Sequence, residues 1–225
     1  MSAYLRPTAP IAPDALLPSD PGLALELAQE LLDAPRMSNH NHGLWGYHGN
    51  TSAGRSLTIQ ATGIGGPSAA VVLRELHEHG VSRAIRLGVC APLGAGLGAG
   101  DVLVVDRALA ADGTSAALGA EGSVQGDRAL TRSLIVAAGP GARTGTVAST
   151  DLLEDGRGAR DGAIATDLES AAVLALGEAL GIAVAAILVV ANPDSDGLPE
   201  ADAGGGLGRI ASAALAGDQR SGARR

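Results

Sequence analysis

The stretch Ser56-Leu57-Thr58-Ile59-Gln60-Ala61-Thr62-Gly63-Ile64-Gly65-Gly66-Pro67-Ser68, continued to His79, decides the fold. Apolar and β-branched residues over 56–62 predict a strand, and the spacing of Ala, Val and Leu over 67–79 predicts a helix. Between them, Gly65 and Gly66 offer backbone angles closed to other residues. Pro67 suits the first helical position, where an amide would go unpaired anyway. A strand passing through a glycine turn into a helix is the building unit of an α/β domain.

The same alternation extends outward. Further strands are predicted over 14–18, 44–48, 83–88, 101–107, 144–149, 163–167 and 183–191, and further helices over 21–32, 127–138, 168–180 and 206–216. No repeat and no long polar linker divides the chain, so a single domain over 1–225 is expected, with a frayed tail over 217–225. The absence of a basic start followed by an apolar run leads to the expectation of a cytoplasmic protein.

Composition narrows the chemistry. The 225 residues are 46% hydrophobic, but Tyr4, Trp45 and Tyr47 are the only aromatics, so the core must be aliphatic and aromatic platforms are scarce. All 16 basic residues are Arg. Without lysine, a Gly-Lys phosphate loop, a Schiff base and a Ser-Lys dyad are excluded. A net charge of -8 argues against sequence-independent binding to nucleic acid or an anionic membrane. One cysteine, Cys90, rules out intrachain disulfides and multi-cysteine metal sites.

Several suggestive patterns fail. Glycines 94, 96, 98 and 100 fit no dinucleotide fingerprint and precede a strand. Residues 192–197 imitate the start of a calcium loop, but Ala203 occupies the position of its bidentate Glu. His77 and His79 are two apart on a helix and diverge, and no G-x-S-x-G elbow exists.

Three segments remain, each where a strand gives way to a loop or helix: 61–68, Ile85-Arg86-Leu87-Gly88 and Asp167-Leu168-Glu169-Ser170-Ala171. Arg86 ends an apolar strand and needs a partner, either a structural carboxylate or an oxyanion held by its planar fork. Glu169 is either a favourable first-turn charge or an acceptor for sugar hydroxyls.

Together these segments resemble the nucleoside phosphorylase family of uridine phosphorylase, hexameric purine nucleoside phosphorylase and methylthioadenosine nucleosidase. The likeness runs from about Leu16 to Ala216. It includes Leu17-Pro18-Ser19-Asp20-Pro21, Gly43-Leu44-Trp45-Gly46-Tyr47, Thr62-Gly63-Ile64-Gly65-Gly66-Pro67-Ser68, Gly100-Asp101-Val102-Leu103, Asp112-Gly113-Thr114-Ser115 and Ala148-Ser149-Thr150-Asp151. The resemblance implies a three-layer α/β fold with a mixed, partly barrel-like sheet. It also implies cleavage of a nucleoside N-glycosidic bond by inorganic phosphate, with no cofactor, in a homo-oligomer (dimer or hexamer) whose sites borrow residues from a neighbour.

Carried over by position, Arg86 would hold phosphate, with Ser19, Gly65, Val89 and His42 around it. Glu169 would bind the ribose hydroxyls, with Leu168 beneath the sugar. Asn192 or Asp194 would serve the leaving base, and Ala148, Leu153, Arg157 and Asp167 would line its pocket. The sequence departs from the family at the anion: Leu23 and His42 replace two arginines, and Val89 replaces a hydroxyl. The family's stacking aromatic is missing near Ala148, which leaves Trp45 or Tyr47 for that role. Three readings follow: a phosphorylase, a phosphate-independent nucleosidase, or a non-catalytic nucleoside-binding or assembly subunit.

Overall fold

Strand β5 (Arg83–Pro92) is the hub of the sheet in the computed structural model, which describes residues 3–152, 162–191 and 201–222. It runs parallel to β1 (Asp14–Pro18) on one side and β10 (Ala183–Val190) on the other. Its far end pairs antiparallel with β9 (Ala165–Asp167). Strand β10 then pairs with β6 (Val102–Ala111), β6 with β8 (Arg143–Thr150), and β8 with β9. The ring β5-β10-β6-β8-β9 therefore closes on itself. From β1 an open wing continues through β4 (Ser56–Gln60), β3 (Gly46–Asn50) and β2 (Asp33–Asn39), while short β7 (Ser123–Gln125) adds to β6. This is the mixed, partly barrel-like α/β sheet expected.

Side chains alternate across the sheet and meet a separate layer on each side. One cluster packs α2 (Gly66–Glu78) and α5 (Ser170–Leu180) through Val72, Leu73, Leu76 and Leu176. The other packs α1 (Pro21–Leu31), α4 (Arg128–Ala138) and α6 (Ala201–Gly222) through Leu27, Leu130, Leu134 and Leu215. Each fully buried Leu or Ile contributes about 1.5–3 kcal/mol, so aliphatic side chains suffice without phenylalanine. Among the described residues, no helix is long and apolar enough to cross a membrane.

Several matching motifs are caps. Asp20 accepts from the Leu23 amide at the start of α1 (2.8 Å), and Asp112 accepts from the Ser115 amide at the start of α3 (Gly113–Ala117), also at 2.8 Å. The elements not foreseen are β2, β7 and α3. Strand β2 carries Pro35 without alternating apolar residues and is an edge with bulges and an exposed outer half. Strand β3 begins two residues later than predicted, because a 3-10 turn occupies Asn41–Gly43 and Gln60 binds the Leu44 carbonyl at 2.9 Å. Helix α6 starts earlier than predicted, at Ala201, and continues to Gly222.

Candidate active site

The turn after β4 comes first. Gly65 takes φ +84°, open to glycine, and caps α2 without a side chain of its own. Gly66 is the first helical residue and Pro67 the second, one place later than the sequence suggested. The cap comes instead from the β9–α5 turn, where Glu169 Oε1 accepts from the Gly65 amide at 2.7 Å. A carboxylate at a helix N-terminus sits where amide donors and the helix dipole favour negative charge.

Arg86 reaches the same point from β5. Alternation sends it to the α2/α5 face together with Gly88, while Ile85 and Leu87 enter the other layer. Its guanidinium lies over Gly88, where an added β-carbon would fall 2.7 Å from Cζ and 2.8 Å from Nη2. Nη2 is shared between two carboxylates, Asp167 Oδ2 at 3.0 Å and Glu169 Oε2 in closer contact. Nη1 is buried and has no hydrogen-bond partner among the described residues.

Asp167 is 1% exposed and fully engaged. It accepts from Ser149 Oγ and Ser170 Oγ, both at 2.6 Å, and from the Ser170 amide at 3.0 Å. Ser149 Oγ in turn accepts from the Ala171 amide at 2.8 Å. The network joins β5, β8, β9 and the start of α5, and fixes the backbone on both sides of Glu169. Burial pushes the Asp167 carboxyl above its ordinary range; Arg86 and the serine hydrogen bonds pull it down, Glu169 pushes it up, and the balance is a rise. Burial also works against the Arg86 charge, but Glu169 and Asp167 hold that group above its usual range.

Arg86, Asp167, Glu169 and Gly65 are thus brought together, and Ser19 lies alongside, its carbonyl accepting from the Gly63 amide at 3.1 Å. Leu168 is half-buried between the two acidic residues in sequence. Val89 points to the face opposite Arg86 and packs in the α1/α4/α6 layer. Ala148 is fully buried, and its carbonyl accepts from Thr166 Oγ1 at 2.9 Å. His42 is exposed at φ +57°, its ring 5.2 Å from that of Tyr4. Trp45 and Tyr47 pack in the layer opposite Arg86, and Tyr47 is buried there. Leu153, Arg157, Asn192 and Asp194 lie outside the described residues.

The sequence reading quoted Gly88, Ser149 and Ser170 within its motifs but gave none of them a role. Gly88 was within reach of it, because two residues along a strand return to the same face. The serines serve Asp167 from different elements, which spacing alone does not disclose. A separate cavity of about 620 Å³ lies around Arg107, Gln125, Arg128, Glu178 and Val184, at the opposite end of β10, and holds none of the expected site residues. Among the described residues, no group of three or more His, Cys, Asp or Glu is placed to hold a metal ion.

Comparison with known proteins bears on the same elements. Residues 13–212 match the Phosphorylase superfamily. The chain is similar to the purine nucleoside phosphorylase DeoD-type of Oceanobacillus iheyensis, 34% identical over 99 residues covering 44% of this chain and 42% of the relative. It is also similar to those of Clostridium novyi, 34% over 106 residues (47% and 45%), and Caldanaerobacter subterraneus, 37% over 84 residues (37% and 36%). The chain spans less than half the length of these curated relatives in the matched stretches. The family match, in contrast, runs from β1 into α6 and takes in Arg86, Asp167 and Glu169, and the chain belongs to the phosphorylase superfamily.

Proposed function

We propose that this chain cleaves the N-glycosidic bond of a nucleoside with inorganic phosphate, releasing a free base and a pentose 1-phosphate. Purine nucleosides are the first class to test, since the relatives above carry that name. The observation that carries the reading is the buried Arg86 guanidinium, whose Nη1 has no partner among the described residues while Glu169 stands at its other edge. A buried donor left unpaired costs about 1–3 kcal/mol, and an oxyanion would relieve it.

In this scheme Nη1 takes a phosphate oxygen, and Glu169 turns from Arg86 and Gly65 to the paired sugar hydroxyls, for which an acceptor-only group is suited. Leu168 lies under the sugar, and Asn192 or Asp194 donates to the leaving base, with Leu153 and Arg157 at its edge. Phosphate and carboxylate then flank a sugar that becomes cation-like, and rate comes from positioning and charge. His42 on its exposed turn is the residue offered to a neighbouring copy in a homo-oligomer.

A second reading, hydrolysis, is favoured by the charge of the described cluster, one guanidinium against two carboxylates. Water needs no cationic cradle. Assaying a purine and pyrimidine nucleoside panel with and without phosphate separates the readings. Base release that depends on phosphate supports phosphorolysis, phosphate-independent release supports hydrolysis, and nucleoside binding without release leaves a binding subunit.

A further inference from the structure

Asp167 was expected at the base, but its contacts suit another task. Both oxygens are occupied: Oδ1 by Ser149 Oγ, and Oδ2 by Ser170 Oγ, the Ser170 amide and Arg86 Nη2. A carboxylate offers about four acceptor positions, so little remains for a ligand. The charged and titratable groups facing it are Arg86 and Cys90 from β5 and Glu169 from the β9–α5 turn; β8 and α5 present the neutral hydroxyls of Ser149 and Ser170.

We propose that Asp167 is a positioning residue that fixes Arg86 and couples anion entry to uptake of one proton, so that an oxyanion and a proton arrive together. This rests on the reading of Arg86 as the anion-binding group. With both carboxylates ionised, the cluster holds two negative charges against one positive charge. A dianion entering so buried a place meets net repulsion, which a proton on Asp167 reduces.

The partners of Asp167 suit both states. Each side-chain hydroxyl can accept as well as donate, so a protonated Asp167 can donate through Oδ1 to Ser149 Oγ while Oδ2 keeps accepting from Arg86 and the Ser170 amide. The proton comes from solvent and returns there when the anion leaves, and no covalent bond to the protein changes.

Sulfate is the probe, because it stays a dianion across the neutral range where phosphate itself titrates. Isothermal calorimetry of sulfate binding to the wild-type chain, in buffers of different ionisation enthalpy, should show uptake of close to one proton. The sulfate Kd should weaken by up to about tenfold per pH unit above neutrality. Asp167→Asn should abolish the uptake and flatten the pH profile, a change that a purely structural role would not produce. Sulfate binding without proton uptake by the wild type overturns this proposal and leaves the anion site standing, whereas no binding of sulfate or phosphate removes the anion site as well. Should Asp167→Asn fail to fold, the uptake must persist in Glu169→Gln and in His42→Asn, and its loss in either assigns the proton elsewhere and overturns the proposal.

Discussion

The guanidinium of Arg86 lies over Gly88, two residues further along the same strand, in the space that a β-carbon at 88 would take. That added carbon would stand 2.7 Å from Cζ, well inside contact distance, in a side chain held by Asp167 and Glu169. The glycine is required by the site rather than by a turn. Gly88→Ala should push the guanidinium from its carboxylates and cost about 1–3 kcal/mol of stability, as overpacking does. Phosphate-dependent turnover should fall at least about tenfold, for which 1.4 kcal/mol suffices. Urea unfolding and a phosphate titration check both; a variant with normal anion affinity contradicts the arrangement.

Removing the cation should do more than remove a ligand contact. Arg86→Met leaves Asp167 and Glu169 buried together without their counter-charge, and a loss of about 3–5 kcal/mol is expected. The pH dependence carries the sign. The Asp167 carboxyl sits above its ordinary value when folded, first through burial, so its contribution is fully present below the unfolded pKa and is lost as pH rises through the folded one. Without Arg86 this loss deepens. Thermal melts between about pH 5 and 8 should show the Tm of Arg86→Met falling more steeply with pH than that of the wild type.

The opposite sign is expected at Glu75. This α2 carboxylate accepts from the amides of Ala3 at 2.8 Å, Leu5 at 2.6 Å and Tyr4 at 3.1 Å, tying the N-terminal arm to the helix. Burial pushes its pKa up, but those amides and His79 more than reverse the effect and hold it below its ordinary value of 4.5. The clamp is therefore complete above that value and is lost as pH falls through the depressed folded pKa. Glu75→Ala should cost on the order of 2 kcal/mol in urea unfolding. Hydrogen exchange at residues 3–5 should rise well before global unfolding, and unchanged protection there would contradict the clamp.

Cys90 should be inert in the native protein. Burial pushes its thiol up to about 12, with Asp167 adding to the shift and Arg86 opposing it, so almost no thiolate exists at neutral pH. Alkylation by iodoacetamide should proceed only after denaturation, and rapid labelling of the folded chain would show that the β5 face is open.

Much of the architecture was readable because it depends on period and punctuation. Helices α1, α2, α4 and α5 follow apolar spacing opened by Asp20, Gly65, Asp127 or the β9–α5 turn, and β1, β5 and β10 are apolar runs buried on both faces. Edge strand β2 was not readable, since Asp33-Ala34-Pro35-Arg36 buries nothing and pairs through its backbone. At the site, Glu169 is marked as a charge where a helix starts and Arg86 as a charge within an apolar strand, which runs on to Pro92 rather than ending at Gly88 as expected. The carboxylate at 167 was assigned toward the base, and its engagement by Ser149, Ser170 and Arg86 depends on three elements separated in sequence. Tyr47 was legible as an aromatic but not as a core residue of the opposite layer.

The most direct measurement is a crystal structure of the chain grown with phosphate and a purine nucleoside analogue that resists cleavage. The account predicts anion density within hydrogen-bond distance of Arg86 Nη1 and a Glu169 carboxylate turned from the Gly65 amide to the sugar hydroxyls. Ligands bound elsewhere, with Glu169 still closed on Arg86 and Gly65, would contradict it.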